Sequence, residues 1–310
     1  MSNTALYQTC TLCPRACGVD RTQGQCGVCG ASDVLRLGRV DLHWWEEPCL
    51  VGNQGSGAVF FAYCPLQCVY CQNQSLVQGA GVEVTPQRFA DILLRLQNVQ
   101  RAANINLVTP THYVPTIASV VRPLRSTGAL HIPVVYNTSS YETVSTVRLM
   151  DGLVDIYLAD FKYQDSEVAR AFSRARDYPV QALQAIDEMV RQVPSWLEDD
   201  QGLLKKGVIV RHLVLPGQIE GSLKALKMLF ERYGNRVRLS IMSQFTPLVG
   251  ESSSGNTGAL SCYGLDRVVS TDEYEYVLDY ADYLGFEDYF WQEGASAEES
   301  FIPVFDGTGC

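Results

Sequence analysis

The sequence predicts an α/β fold: a partial (β/α)6 barrel of the TIM type, preceded by a small N-terminal cysteine-rich metal-binding knob. Three observations support this. From residue 58 onward, short apolar runs alternate with segments of helical periodicity. The apolar runs are nearly continuous, which is typical of parallel strands buried on both faces. Residues 1 to about 30 instead have little periodicity and are rich in Cys, Gly and Arg, so a metal would have to hold them together.

Six strands and the helices between them follow from these patterns. The predicted strands are residues 58–63, 105–108, 132–136, 154–161, 208–215 and 237–242. The predicted helices fall at about 85–99, 116–124, 144–150, 183–193 and 223–233. Parallel strands joined by helices place their carboxyl ends at one face, where we expect the chemistry.

The C-terminal region adds one more helix. Ser270 and Glu273 form a capping-box pattern that predicts a helix start. Residues 286–292 follow as a strand or as an arm packed on the barrel. The 310 residues suit one large domain with an appendage. We therefore predict an N-terminal cysteine-rich metal-binding segment and connector over residues 1–50, and a barrel with an acidic C-terminal helix and tail over residues 51–310.

Composition excludes several classes of protein. Hydrophobic residues make up 46% of the chain and charged residues 19%, which fits a globular protein. The N-terminus lacks a secretory signal pattern, and the longest apolar runs are too short to span a bilayer. We therefore expect a cytoplasmic protein with no membrane partner.

The net charge of −10 is concentrated near the C-terminus. Residues 266–310 contain twelve acidic residues and one basic residue, and the rest of the chain is close to neutral. A phosphate-rich partner would be repelled there, so we expect no nucleic-acid partner. The acidic segment is interpreted as a solvated surface, or alternatively as a docking face for a basic protein.

Cysteine is the unusual residue of this chain, with eleven copies. An odd number without a secretory signal indicates metal ligands rather than a disulfide framework. Cys49, Cys262 and Cys310 stand alone and are interpreted as small apolar residues or surface thiols. The other eight form two groups: Cys10, Cys13, Cys17, Cys26 and Cys29, then Cys64, Cys68 and Cys71.

The second group has the pattern C-x3-C-x2-C directly after the first predicted strand. Three thiolates in one loop can bind three irons of a cubane cluster and leave the fourth iron open, as in a catalytic metal site. The alternative is a structural zinc or iron–sulfur site with a distant fourth ligand. The first group can close a four-thiolate site for zinc or for a second iron–sulfur cluster, with one cysteine to spare.

The loop containing Cys64, Cys68 and Cys71 resembles the signature of the radical SAM superfamily. Residues 46–290 look more closely like the branch related to pyruvate formate-lyase activating enzymes. The segments that carry this similarity are residues 55–64, 71–73, 109–112, 160–162 and 210–217. The resemblance implies a [4Fe–4S] cluster whose open iron binds the methionine end of S-adenosylmethionine. Reductive cleavage of the C5′–S bond would then give a 5′-deoxyadenosyl radical that abstracts hydrogen from a substrate.

Individual roles follow from the resemblance and from position at the strand ends. Tyr70 matches an aromatic residue near the adenine. Lys162 matches a residue that meets the methionine carboxylate, with Asp160 balancing its charge. Further cofactor-side candidates are Asn137, Arg211 and Gln244. In the N-terminal group the resemblance favours Cys10, Cys13, Cys17 and Cys26 as ligands, with Cys29 as the extra thiol.

One motif departs from the superfamily. Related proteins have a Gly-Gly-Glu-like motif after the second strand, and this chain has Thr-Pro-Thr-His at residues 109–112. The hydroxyls of Thr109 and Thr111 are candidate acceptors for the methionine amino group. His112 is interpreted as a substrate contact or as a structural histidine. The run Trp44 to Glu47 either lines a substrate mouth or covers a domain junction.

Three functions remain open from the sequence. The first is activation of a glycyl-radical-type partner protein, with a flavodoxin- or ferredoxin-type electron donor. The second keeps the radical chemistry and acts on a small molecule or a peptide. The third is a non-catalytic iron–sulfur or zinc adaptor with a vestigial barrel, against which the three loop cysteines and the Asp160–Lys162 pair argue.

Overall fold

The computed structural model describes residues 5–247, 263–292 and 303–310. Its strands are β1 (Arg36–His43), β2 (Ser56–Phe61), β3 (Val82–Glu83), β4 (Ile105–Val108), β5 (Val134–Thr138), β6 (Ile156–Asp160), β7 (Leu197–Glu198), β8 (Leu204–Leu213), β9 (Arg238–Met242) and β10 (Phe290–Trp291). Its helices are α1 (Ala5–Gln8), α2 (Pro48–Val51), α3 (Gln74–Val77), α4 (Pro86–Asn98), α5 (Val114–Ser126), α6 (Val144–Leu149), α7 (Ser166–Ser173), α8 (Tyr178–Gln192), α9 (Ile219–Tyr233) and α10 (Thr271–Leu284).

Six parallel strands in chain order form the centre of the fold. The order across the sheet is β10-β9-β8-β6-β5-β4-β2-β1-β3, and neighbouring strands from β2 to β10 run parallel. Each of the six predicted strands is present, and helices connect them. The sheet edges at β10 and β3 are not paired with each other in the described residues. The prediction of a partial (β/α)6 arrangement with an N-terminal cysteine-rich segment is therefore confirmed.

The connector predicted before the barrel contains β1, a strand of the same sheet. β1 pairs antiparallel with β2, for example Val40 with Val59, and also with β3. Polar residues such as Arg39 and Asp41 interrupt β1, and most of its C-terminal half is only partly buried. A partly exposed antiparallel strand lacks the continuous apolar run that marks the parallel strands, which is why the pattern missed it.

Capping residues and one left-handed residue determine where several helices begin and end. The side chain of Thr85 accepts a hydrogen bond from the amide of Arg88, and Pro86 occupies the first turn of α4, where the helix was predicted to begin. The capping box of Ser270 and Glu273 is also confirmed at the start of α10. The helix predicted at about 183–193 is α8, which begins earlier than predicted, and a further helix, α7, precedes it. Arg174 takes a left-handed conformation that separates the two.

One hydrophobic core lies between the sheet and its helices. On one side, Phe89 and Ile92 of α4 are fully buried in the same cluster as Val59 and Phe61 of β2. Burying each such side chain contributes about 1.5–3 kcal/mol. Within the described residues, no helix is both long and apolar enough to cross a bilayer.

The last eight residues lie along β1. The amide of Val40 donates to the carbonyl of Thr308 at 2.9 Å, and the amide of Gly307 donates to the carbonyl of Gly38 at 2.8 Å. The ring of Phe305 is buried edge-on against Phe60. This segment also brings Pro303 to the cavity described next.

Candidate active site

A cavity of about 270 Å³ lies at the carboxyl ends of the six parallel strands. Each of these strands, or the segment directly after it, contributes to the wall. The contributors are Cys64 after β2, Val108 and Thr109 at the end of β4, Asn137 in β5, Asp160 at the end of β6, Arg211 in β8 and Met242 at the end of β9. This is the face at which the chain topology predicts the chemistry.

Cys64, Cys68 and Cys71 all line this cavity. Tyr63 and Gln67 have positive φ angles of 74° and 53°, which turn the chain sharply after β2. The turn is held by the amide of Cys71, which donates to the carbonyl of Cys68 at 3.1 Å, and by the hydroxyl of Ser173, which donates to Cys68 Sγ at 3.2 Å. The loop therefore points three thiols at one space.

The loop thiols suit a polynuclear iron–sulfur cluster. Burial raises the pKa of Cys64 to about 11 and that of Cys71 to about 12, and the neighbouring Cys68 raises both further. Such thiols stay protonated until a metal displaces the proton. In the described part of the chain, no three His, Cys, Asp or Glu side chains form a ready-made site for a single ion. A cubane differs, because each of its thiolates binds a separate iron.

A buried network of charged side chains lines the same cavity as the cysteine loop. Asp160 Oδ2 lies 2.7 Å from Lys162 Nζ, and Asp160 Oδ1 lies 2.8 Å from Arg211 Nε. Burial alone would raise the pKa of Asp160, but Arg211 and Lys162 outweigh it and lower that pKa. Burial likewise opposes the charge of Lys162, yet Asp160 keeps its pKa raised. All three side chains are therefore charged and held in place before any ligand arrives.

Glu46 extends this network from the segment after β1. Its Oε2 lies 3.3 Å from Arg211 Nη1, and its Oε1 accepts hydrogen bonds from Asn106 at 2.9 Å and Asn137 at 3.2 Å. Burial raises the pKa of Glu46, against the opposing charge of Arg211. Glu46 was not among the predicted cofactor-side residues, because its placement depends on β1. The adjacent Trp45 lines the cavity as well.

Three other predicted residues also reach the wall. Tyr70 is 5% exposed, accepts a hydrogen bond from the hydroxyl of Tyr163 at 2.6 Å and packs edge-on against Phe245. The carbonyl of Gln244 accepts a hydrogen bond from Gln72 at 2.6 Å. Thr109 has a positive φ of 59°, rare for a β-branched residue. The structure thus brings together Tyr70, Thr109, Asn137, Asp160, Lys162, Arg211 and Gln244.

Thr111 does not line the cavity. It is buried, and its hydroxyl donates to Glu142 Oε1 at 2.7 Å, as do the hydroxyls of Thr138 at 2.6 Å and Tyr136 at 3.0 Å. The second oxygen of Glu142 has no hydrogen-bond partner, and burial raises the pKa of this carboxyl. The short 3₁₀ helix Thr111–Tyr113 turns the hydroxyl of Thr111 inward, away from the cavity side on which Thr109 remains.

His112 is likewise buried in the protein rather than placed on the cavity wall. Its Nε2 lies 2.7 Å from the carbonyl of Ala62, which fixes the proton on that nitrogen. Burial, reinforced by the charge of Arg21, lowers the pKa of His112 to about 3. The structure therefore favours a structural histidine over a substrate contact.

The N-terminal cysteines differ in burial. Cys10, Cys13 and Cys29 are buried, Cys17 is half-buried and Cys26 is exposed. Burial raises the pKa of Cys13 to about 12, and the thiols of Cys29, Cys10 and Cys17 add to the rise. Cys29 is thus buried like Cys10 and Cys13, whereas Cys26 lies at the surface.

The isolated cysteines have no visible part in either group. Cys49 is buried in α2, and burial raises its pKa to about 12. Cys310 is half-buried near β1, with its Sγ 3.7 Å from the carbonyl of Leu37. Cys262 lies outside the described residues.

Comparisons with known proteins found a sequence relative and similar solved structures, among them two of Streptococcus suis SuiB. No family model matches the chain. It is 25% identical over 250 residues to the uncharacterized protein MJ0674 of Methanocaldococcus jannaschii, a match that covers 78% of this chain and 67% of that one. The crystal structure of Streptococcus suis SuiB bound to precursor peptide SuiA aligns with a TM-score of 0.49 at 15% identity.

SuiB bound to S-adenosylmethionine aligns with a TM-score of 0.46, also at 15% identity. These two alignments cover 74% and 79% of this chain, and 46% and 48% of the SuiB chains. The chain therefore spans about half the length of the solved structures to which it is similar.

Proposed function

We propose that this chain is a radical SAM enzyme whose cluster is bound by Cys64, Cys68 and Cys71. One observation carries the proposal: three thiols in the C-x3-C-x2-C pattern line the same cavity as the Asp160–Lys162 pair. The structure describes three cavity thiols rather than four, which suits a cluster with one iron open to a ligand.

The wall residues of the cavity divide into polar and apolar groups. When bound together, the cluster and S-adenosylmethionine supply the one-electron cleavage that yields the 5′-deoxyadenosyl radical. Lys162 binds the carboxylate of the methionine moiety, and Asp160 holds its ammonium in place through their 2.7 Å contact. The Tyr70 ring packs near the adenine. Phe60, Val108 and Phe245 line the same space and exclude water from it.

The substrate that we propose is a glycyl-radical-type partner protein. The support for this is the similarity of residues 46–290 to activating enzymes of pyruvate formate-lyase. A flavodoxin- or ferredoxin-type protein is the proposed electron donor, because such chemistry needs one low-potential electron at a time.

The deciding experiment is anaerobic reconstitution with iron and sulfide, followed by reduction and addition of S-adenosylmethionine. We expect 5′-deoxyadenosine, measured by chromatography. Cys68→Ala should reduce its formation to background, whereas Cys49→Ala, a buried thiol outside the cavity, should leave it unchanged. A cluster that forms in the wild type but never cleaves S-adenosylmethionine would contradict the proposal and favour the adaptor function.

A second measurement addresses the substrate. The reduced enzyme is mixed with S-adenosylmethionine and a glycyl-radical protein, and the sample is examined by electron paramagnetic resonance. An organic radical signal on the partner supports the activating function. Active cleavage without such a signal, over a panel of glycyl-radical proteins, would contradict it and favour a peptide or small-molecule substrate.

A further inference from the structure

We propose that Cys10, Cys13, Cys17 and Cys29 form a closed four-thiolate site for an iron–sulfur cluster, that Arg21 neutralises its charge, and that Cys26 takes no part in it. The inference concerns the N-terminal segment and does not depend on the radical chemistry proposed above. Three features of the segment support it: two short stretches of chain pack together, some thiols are buried while others are exposed, and one buried guanidinium has no counter-charge.

The first segment folds the first three thiols together. Ala16 and Gly18 have positive φ angles of 43° and 67°, so the chain reverses between them. As a result, the amide of Ala16 donates to the carbonyl of Cys13 at 3.0 Å, and the amide of Gly18 donates to the carbonyl of Cys10 at 2.9 Å. Residues 10–18 therefore form a compact loop that carries three cysteines.

The second segment packs directly on this loop. The amide of Val28 donates to Cys17 Sγ at 3.3 Å, a contact of the kind that stabilises metal-bound thiolates. At Gly27, a Cβ atom would lie 2.8 Å from Cys17 Sγ, so only glycine allows this approach. The amide of Gly30 donates to the carbonyl of Gly27 at 3.0 Å and turns the segment around Cys29.

The two candidates for the fourth ligand differ in position. Cys29 is 8% exposed and directly follows Val28, whose amide contacts Cys17 Sγ. Cys26 is exposed, and its Sγ lies 3.8 Å from the carbonyl of Gly24. Sequence spacing alone allows either thiol. Burial selects Cys29.

Arg21 supplies an independent observation. Its side chain is fully buried, and its guanidinium donates to the carbonyls of Ser32 and His112 and lies 3.9 Å from Cys10 Sγ. The rings of Tyr7 and Tyr113 lie 4.7 and 5.7 Å from its central carbon. Among the residues that the structure describes, Arg21 forms no ion pair with a carboxylate.

A buried guanidinium cannot lose its proton, so an uncompensated charge there would be costly. Carbonyls, aromatic rings and protonated thiols carry no formal charge. Four thiolates around an oxidised [4Fe–4S] core carry a net negative charge, and in such a cluster each thiolate binds a separate iron, so the thiols need not converge on one metal atom. Arg21 beside Cys10 is thus placed to balance such a centre, which is the role of a residue outside the ligand set.

Metal content measures the ligand set directly. The background is the full chain with Cys64, Cys68 and Cys71 all changed to Ala, so that only N-terminal metal is counted. Zinc, iron and sulfide are measured per chain after expression and after anaerobic reconstitution. Adding Cys29→Ala should remove the bound metal, whereas the matched Cys26→Ala should retain it. The reverse pattern, or a background chain that binds no metal, would overturn the proposal.

Labelling of the wild type avoids dependence on a variant that does not fold. In the metal-loaded protein, iodoacetamide should modify Cys26 and spare Cys29, as read by mass spectrometry of peptides. After chelation, Cys29 should also be modified. Modification of Cys29 at the same rate before and after metal removal contradicts its role as a ligand. Iron and sulfide should be released at chelation, and release of zinc alone would contradict the proposed cluster.

Arg21 is tested as a charge-balancing residue by metal affinity. Arg21→Gln should weaken binding about 10–100-fold, as is typical for partners of ligands, and Arg21→Lys should recover part of the loss because it keeps the charge. Unchanged affinity in Arg21→Gln, or equal losses in Gln and Lys, would show that Arg21 acts through packing alone.

Discussion

The two groups of thiols in this chain differ in what surrounds them. Cys64, Cys68 and Cys71 border a cavity whose charged side chains, such as Asp160 and Arg211, already neutralise one another. The buried N-terminal thiols lie beside Arg21, whose nearest polar contacts carry no formal charge. The comparison teaches that the barrel site is electrostatically balanced without metal, whereas the N-terminal site is balanced only when a metal is bound.

The largest expected effect is a loss of stability when a charge is removed from the barrel site. Asp160→Asn leaves Lys162 and Arg211 buried without their shared counter-charge, so we expect the free energy of unfolding to fall by about 3–5 kcal/mol even in metal-free protein. Urea denaturation of the wild type and the variant measures this change in the free energy of unfolding. Asp199→Asn breaks a partly exposed contact to Lys205 and should cost about 0–1 kcal/mol. A loss at Asp160 no larger than that of this control would contradict the comparison.

Removal of metal should destabilise the N-terminal segment and leave the barrel strands unchanged. After chelation we expect hydrogen exchange at the amides of Gly18 and Val28 to accelerate by about tenfold or more, which corresponds to about 1.4 kcal/mol of local stability. The amides of β5 and β6 should keep their protection, because their strands do not depend on the N-terminal metal. Equal acceleration in both regions would show that the two are one cooperative unit.

A graded effect is expected on the pH dependence of stability. Burial lowers the pKa of His112 to about 3 and that of His212 to about 4. Below pH 6.5 the unfolded chain binds protons that these neutral rings do not, so stability falls as the pH drops from 6.5 toward the folded values. The expected slope is about 1.4 kcal/mol per pH unit for each ring.

Denaturation at several pH values tests this slope. His112→Asn and His212→Asn should each remove one ring's share of it, and the exposed His131→Asn serves as the control. If His112→Asn leaves the slope intact while His212→Asn reduces it, the segment contacting Arg21 has already opened before global unfolding. That outcome would sharpen the comparison between the two regions.

The sequence predicted the parallel part of the fold well, because strands buried on both faces leave an unbroken apolar signal. It missed β1, and with it the position of Glu46, because a partly exposed antiparallel strand mixes polar and apolar residues. Seven predicted cofactor-side residues line the cavity, since the strand ends fix where they lie. Thr111 does not line the cavity, because the 3₁₀ turn that follows Thr109 directs the hydroxyl of Thr111 toward Glu142. The sequence does not show which of two threonines in one turn faces the cavity.

The choice between Cys26 and Cys29 could not be made from the sequence either. Both follow a glycine-containing turn at spacings that suit a metal ligand. Their difference lies in burial, which depends on how closely Gly27 lets the second segment approach Cys17. Such a contact between two segments leaves no periodic pattern in the sequence.

The buried carboxyls also change the meaning of the formal charge of −10. Burial raises the pKa of Glu46, Glu47 and Glu142, which moves their titration toward neutral pH. At these three positions the folded chain keeps its protons to a higher pH than the unfolded chain does. The neutral rings of His112 and His212 shift the native charge the other way below pH 6.5, so the formal charge is a poor guide to the charge of the native protein in mildly acidic solution.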